Sequence, residues 1–210
     1  MPEAQLIHVI DDDEAVRESL AFMLSTSAYE VRQHESAAAF LRAGLPSRAG
    51  CIITDVRMPG LSGVELLQKL DEVGSRIPVI VMTGHADVPL AVEAMKLGAA
   101  DFLEKPFDEE VMLKAIRACL TRADETSRMD ALRTDVEARI GELSPRERQV
   151  LTALVAGQAN KSIAQDLGIS PRTVEVYRAN VMTKMKVSSL SELVRMALLA
   201  GIGAFNPSRP

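Results

Sequence analysis

The 210-residue chain carries only two cysteines, Cys51 and Cys119, and they stand far apart. Their spacing matches no metal-binding or redox pair, which argues against a zinc module or a redox centre. Both lie in apolar stretches, where a reduced thiol behaves as a small buried hydrophobe in a reducing cytoplasm. No apolar run approaches the roughly 18 residues needed to cross a bilayer, so no membrane span is expected. The opening Met-Pro-Glu-Ala-Gln has neither a basic n-region nor an apolar h-region, and a cytoplasmic protein without a secretory signal is expected. The chain shows no long internal repeat and no low-complexity tract.

Hydrophobic residues make up 47 % and charged residues 25 %, an ordinary globular mixture. The net charge of −5 conceals an asymmetry. Residues 1–124 hold 12 Lys/Arg against 20 Asp/Glu, residues 125–141 hold 3 against 4, and residues 142–210 hold 9 against 5. An acidic half joined to a basic half implies two partners of opposite character.

The acidic half alternates strand-like and helix-like segments. Short apolar runs at Leu6–Ile10, Cys51–Thr54 and Pro78–Met82 read as buried strands, with shorter ones at Tyr29–His34 and Asp101–Leu103. Helical spacing links Val16, Leu20, Met23 and Leu24. Further helices are predicted over Ser36–Ala43, over Ser62–Val73, through Val88, Val92 and Met95, and from Asp108 through Val111, Ala115, Ile116 and Cys119. Five strands alternating with five helices predict an α/β doubly wound parallel sheet, flavodoxin-like, in the order 2-1-3-4-5.

Functional groups in such sheets gather beyond the carboxyl ends of the strands. Strand one ends in Asp11-Asp12-Asp13 and strand three in Asp55. Strands one and three are neighbours in this order, so Asp11, Asp12 and Asp55 are expected to converge. Like charges this close repel unless a cation intervenes, and a partial set of hard oxygen ligands suits Mg²⁺. Strand four brings the Thr83 hydroxyl to the same rim and strand five brings the Lys105 ammonium. A carboxylate can attack phosphorus, and phosphoryl transfer chiefly needs positioning and charge neutralisation. Asp55 is thus the expected acceptor, with Lys105 and Thr83 meeting the phosphoryl oxygens. Asp13 is expected near the start of the first helix, where its charge suits the helix dipole. His85, just beyond Thr83, has no necessary task.

The strings Val9-Ile-Asp-Asp12, Thr54-Asp-Val-Arg-Met-Pro-Gly60, Val81-Met-Thr-Gly84 and Phe102-Leu-Glu-Lys-Pro106 resemble the receiver domain of two-component response regulators over roughly residues 4–122. The resemblance implies phosphoryl transfer to Asp55 from a phosphohistidine on a sensor histidine kinase. It implies Mg²⁺ held by Asp12, Asp55 and the backbone carbonyl of Arg57, with Asp11 helping through water. It implies a cis Lys105–Pro106 bond and a switch pairing Thr83 with Phe102. It implies a phosphoprotein rather than an enzyme, with autodephosphorylation as its only turnover.

From about Thr121 to Gly141 the chain turns charged yet keeps Met129, Leu132, Val136 and Ile140 at helical spacing. This stripe reads either as a solvated linker helix resting on a neighbouring domain or as a short self-associating helix. The expected domains are residues 1–122, a helical linker over 123–141, and a basic domain over 142–210.

The basic domain reads as four helices, three of them capped at Ser144, Ser170 and Ser189, and one over Asn160–Leu167 stopped by Gly168. Ala164, Gly168, Ile169 and Val174 sit where a helix-turn-helix needs a small contact, a tight turn and core anchors. A recognition helix starting at Ser170 would offer Thr173, Glu175 and Val176 to base edges, with Lys161, Arg172, Arg178 and Lys184 around it meeting phosphates. Such corners also occur in bundles that bind only protein, which leaves a phosphate sink with a protein-binding module as the alternative.

The longer strings Leu143-Ser-Pro-Arg-Glu-Arg-Gln-Val-Leu151, Asn160-Lys-Ser-Ile-Ala164 and Ser170-Pro-Arg-Thr-Val-Glu-Val-Tyr-Arg178 resemble the LuxR-type DNA-binding domain over about residues 142–203. The receiver and this output domain together resemble FixJ-type regulators of the NarL/FixJ family. The pairing implies a transcription regulator that binds double-stranded promoter DNA, forms a homodimer when phosphorylated, and works with RNA polymerase. Nitrogen-fixation genes are one possible target of this type among several.

Overall fold

A computed structural model describes residues 5–45, 50–84 and 88–203. His85 lies outside the described residues. The chain divides into two compact units, Met1–Glu125 and Thr126–Pro210.

The first unit is built on strands β1 (Leu6–Ile10), β2 (Glu30–His34), β3 (Gly50–Asp55), β4 (Val79–Thr83) and β5 (Asp101–Glu104). They pair in parallel in the order β2-β1-β3-β4-β5, as the alternation of the sequence predicts. Side chains alternate faces along a strand, and both faces are covered. Ile7, Val9, Cys51, Ile53, Ile80 and Met82 pack to one side, with Leu20 and Leu24 of α1 (Glu14–Thr26) and with Met112, Ile116 and Cys119 of α5 (Glu109–Gly141). Ile10, Ile52, Val79 and Val81 pack to the other side. They meet Phe40 of α2 (Ala37–Ala43), Leu66, Leu67 and Leu70 of α3 (Gly63–Glu72), and Ala94 of α4 (Val88–Lys96). Cys51 and Cys119 are free and buried within the first of these layers.

The stretch expected as a helical linker, residues 123–141, is the distal part of one longer helix. Helix α5 runs without a break from Glu109 to Gly141 because residues 109–140 contain neither Gly nor Pro. Pairs four residues apart, Arg133 with Glu137 and Asp135 with Arg139, support its polar stretch. The apolar stripe of that stretch divides. Val136 and Ile140 are buried in the core of the second unit, whereas Met129 and Leu132 are 52 % and 41 % exposed.

The second unit adds α6 (Pro145–Val155), α7 (Asn160–Leu167), α8 (Pro171–Met185) and α9 (Leu190–Leu199). Its core joins Val150, Leu151, Leu154, Ile163, Val174, Val181, Met185 and Leu193. Ser144 caps α6 in a full capping box with Glu147, and Ser170 and Ser189 cap α8 and α9. Among the described residues, no helix is long and apolar enough to cross a membrane.

Candidate functional site

The carboxyl ends of β1, β3, β4 and β5 meet on one rim. Asp11 follows β1 directly, Asp55 ends β3, Thr83 ends β4 and Lys105 follows β5. All but Lys105 are buried, Asp11 at 2 % exposure, Asp55 at 8 % and Thr83 at 1 %. The Lys105 ammonium donates to Asp11 Oδ2 and to Asp55 Oδ1, both at 2.7 Å. Burial alone would lower the Lys105 pKa, but the bonds to Asp11 and Asp55 outweigh it and hold the pKa above the ordinary lysine value. The backbone fixes each partner as well. Lys105 N donates to Thr83 O at 2.6 Å, and Arg57 N donates to Asp55 Oδ2 at 2.7 Å. The Lys105–Pro106 peptide is cis.

The three acids after β1 take three different roles. Asp11 turns inward, and its Oδ1 accepts from Asp13 N at 3.0 Å. Asp13 is the N-cap of α1, accepting from Ala15 N and Val16 N. Asp12 is exposed. Of the expected convergence of Asp11, Asp12 and Asp55, the first and last are seen to meet, both carboxylates bonding Lys105. Among the described residues, no three His, Cys, Asp or Glu side chains form one metal-binding cluster. The donors that remain for a cation are nonetheless all hard oxygens. Two buried carboxylates share a single ammonium, which leaves negative charge uncompensated. That chemistry fits a divalent cation such as Mg²⁺.

Sequence reasoning overlooked two supports of this rim. Arg17 Nη1, one turn into α1, donates to the carbonyls of Asp11 at 2.9 Å and Asp12 at 3.1 Å. Four residues after Asp13, it has the spacing of an ordinary helical ion pair, which hides the role. Gly63 opens α3 directly against the rim, and a Cβ there would lie 2.3 Å from Asp55 O. Only a glycine permits that approach.

Phe102 is partly buried on the face that carries Val81, its partner in the β4–β5 register. Thr83 is two residues beyond Val81 and so points to the same face.

In the second unit, Gly168 adopts φ +65° between α7 and α8, and Ile169 N bonds back to Ala164 O at 3.0 Å. Ala164 and Val174 are buried at the corner, which completes the helix-turn-helix. Ser170 Oγ accepts from Thr173 N at 3.1 Å and shares a 2.8 Å bond with Thr173 Oγ1. Lys161, Arg172 and Glu175 are exposed, as is Val176 at 56 %, while Arg178 is partly buried. Lys184 is engaged within the unit. Its ammonium bonds the buried Glu147 carboxylate at 2.7 Å and Glu142 O at 3.2 Å, tying α8 to α6. The spacing along α8 shows only that it carries a lysine there. What draws that lysine inward is the Glu147 carboxylate, already fixed by the capping box.

Comparison with known proteins agrees with this geometry. The family described as response regulator receiver domain matches residues 7–117, and that of bacterial regulatory proteins, luxR family, matches residues 141–197. A receiver followed by a helix-turn-helix output unit defines the class of transcriptional response regulators. The transcriptional regulatory protein FixJ of Azorhizobium caulinodans is 66 % identical over 210 residues, covering 100 % of each chain. Full-length FixJ from B. japonicum is 53 % identical, with a TM-score of 0.59 over 94 % of this chain and 97 % of that one. The response regulator StyR is 39 % identical, with a TM-score of 0.80 over 93 % and 98 %. The chain belongs to the NarL/FixJ family of response regulators and is of the FixJ type.

Proposed function

We propose that the protein is the output regulator of a two-component system, with Asp55 as its phosphoacceptor and the surface of α8 as its DNA-reading element. The observation that carries this reading is the Lys105 ammonium held 2.7 Å from both Asp11 and Asp55 at the carboxyl end of the sheet. An Asp55 carboxylate oxygen attacks phosphorus in line. The P–N bond of a phosphohistidine on the sensor kinase breaks, its electron pair stays on the imidazole nitrogen, and Asp55 becomes an acyl phosphate. Lys105 meets one phosphoryl oxygen and the Thr83 hydroxyl donates to another. Asp12, Asp55 and the Arg57 carbonyl, with Asp11 helping through water, would hold Mg²⁺, which when bound would supply charge neutralisation for the transferred group. Hydrolysis of the acyl phosphate returns the resting form.

Thr83 and Phe102 share one face of the sheet, which supports a switch in which Thr83 moves toward the phosphoryl group and Phe102 repacks. The exposed apolar residues Val92 at 46 %, Met95 at 49 % and Val111 at 45 % support a homodimer formed through α4 and α5 of the receiver. Two copies of α8 then meet two half-sites of promoter DNA, with Lys161, Arg172 and Arg178 toward phosphates and Thr173, Glu175 and Val176 toward base edges. Cytoplasmic residence is supported by the DNA partner and by two free, buried cysteines.

Acetyl phosphate with Mg²⁺ tests the acceptor. Intact-mass analysis is expected to show one added phosphoryl group on the wild-type chain and none on Asp55→Asn. Phosphorylation with no DNA binding even at low salt favours a phosphate sink instead.

A further inference from the structure

Asp11 is fixed from every side. Its N–H donates to His34 O at 3.3 Å, its Oδ1 accepts from Asp13 N, its Oδ2 accepts from Lys105, and its carbonyl accepts from Arg17. Asp12 is different. It is exposed, it follows the last strand residue by two, and the bond from Arg17 Nη1 to its carbonyl is its one hold among the described side-chain contacts. An exposed aspartate on a strand-to-helix turn would otherwise sample many orientations, and the entropy of that freedom opposes any ligand it must help to hold.

Arg17 is free for this task because of how α1 begins. The usual partner for a cation here is the carboxylate four residues earlier, that of Asp13. That carboxylate is already committed as the N-cap, accepting from Ala15 N at 2.9 Å and Val16 N at 3.4 Å. The guanidinium passes beyond it and places one nitrogen, Nη1, between two consecutive carbonyls. Such a bond from a charged donor is stronger than a neutral one and fixes two peptide planes at once. It also brings positive charge near the acids, which opposes a second cation. The two effects have opposite signs, but the repulsion acts at a partly exposed, screened surface whereas the bonds act at contact distance.

We propose that Arg17 is a positioning residue of the acceptor site, clamping the Asp11 and Asp12 peptides so that the Asp12 carboxylate stays poised to share a divalent cation with Asp55. This rests on the reading of the acidic rim as a Mg²⁺ site. The clamp acts on cation affinity rather than on the chemistry of transfer, because Arg17 touches only backbone.

Calorimetric titration of the full chain with Mg²⁺ tests this directly, comparing wild type, Arg17→Ala, Arg17→Lys and Asp12→Asn. Arg17→Ala is expected to bind Mg²⁺ about tenfold more weakly, the scale of one charge-assisted hydrogen bond. Arg17→Lys, which can still donate to both carbonyls, is expected to recover most of that loss. With acetyl phosphate as donor, Arg17→Ala is expected to need a higher Mg²⁺ concentration for half-maximal phosphorylation yet to reach the wild-type rate at saturation. Thermal unfolding in parallel identifies a purely structural role, which would lower the melting temperature of Arg17→Ala and leave Mg²⁺ affinity unchanged. Unchanged affinity overturns the inference about Arg17 alone. Absence of Mg²⁺ binding to the wild-type chain overturns the metal reading and this inference with it.

Discussion

Lys105 Nζ lies 2.7 Å from Asp55 Oδ1 and equally close to Asp11 Oδ2, so two buried carboxylates share one ammonium. Removing it strands both. Lys105→Ala is expected to lower stability by about 1–3 kcal/mol, the scale for leaving buried charged partners unpaired. Mg²⁺ is expected to raise the melting temperature of this variant more than that of the wild type, because a cation can replace the missing charge. Thermal denaturation with and without Mg²⁺ checks both expectations.

A second pair sits behind the rim. His8 Nδ1 and His34 Nε2 are 2.9 Å apart, their rings stack, and Phe40 closes edge-on against both. Burial, then the neighbouring His34, lowers the His8 pKa from 6.5 to about 4, and burial lowers His34 as well. The unfolded chain takes up these protons as pH falls below 6.5, whereas folded His8 stays neutral until about 4. Stability is thus full above pH 6.5 and is lost as pH falls through this window, by up to about 3 kcal/mol for His8. Urea unfolding across that range checks it, and His8→Leu is expected to flatten the slope.

Lys184 separates stability from DNA contact. The hydrogen bond from the Lys184 ammonium, and then that from Ser144 N, holds the Glu147 carboxyl below the usual range against the opposing effect of burial. Lys184→Ala is expected to cost the second unit about 1–2 kcal/mol while leaving the salt dependence of DNA binding unchanged. Arg172→Ala is expected to leave stability unchanged and to reduce the slope of log K against log salt by about 0.9. Denaturation and DNA titration at several salt concentrations distinguish the two.

Within α5, Ile140→Ala is expected to destabilise the second unit by about 2–4 kcal/mol, since Ile140 is a core residue there. Met129→Ala and Leu132→Ala, on the exposed part of the stripe, are expected to stay within about 0.5 kcal/mol. Chemical denaturation of the three variants checks this contrast.

Strand order, helix caps and the meeting of Asp11, Asp55 and Lys105 at one end of the sheet are legible because each follows from the pattern of strands and caps. Near-continuous apolar strands mark a sheet covered on both faces, and Ser144-Pro-Arg-Glu147 announces its own capping box. The sequence of Asp11-Asp12-Asp13 identifies an acidic turn but not which acid faces inward, because that depends on the exit direction of β1. The contacts of Arg17 and Lys184 are not legible for a related reason. A cation's partner is chosen in three dimensions: Arg17 passes Asp13 for two carbonyls, and Lys184 reaches a carboxylate 37 residues away. The length of α5, 33 residues, follows from the absence of breakers, which the change in composition near Thr121 does not signal.

The central claim is that charge arriving at Asp55 changes what α8 does. The most direct measurement is the affinity of the full chain for DNA selected from a random pool, at fixed salt, before and after treatment with acetyl phosphate and Mg²⁺, beside Asp55→Asn. The expected result is tighter binding by the treated wild type and no change in Asp55→Asn. Equal affinity of phosphorylated and unphosphorylated wild type would contradict the account.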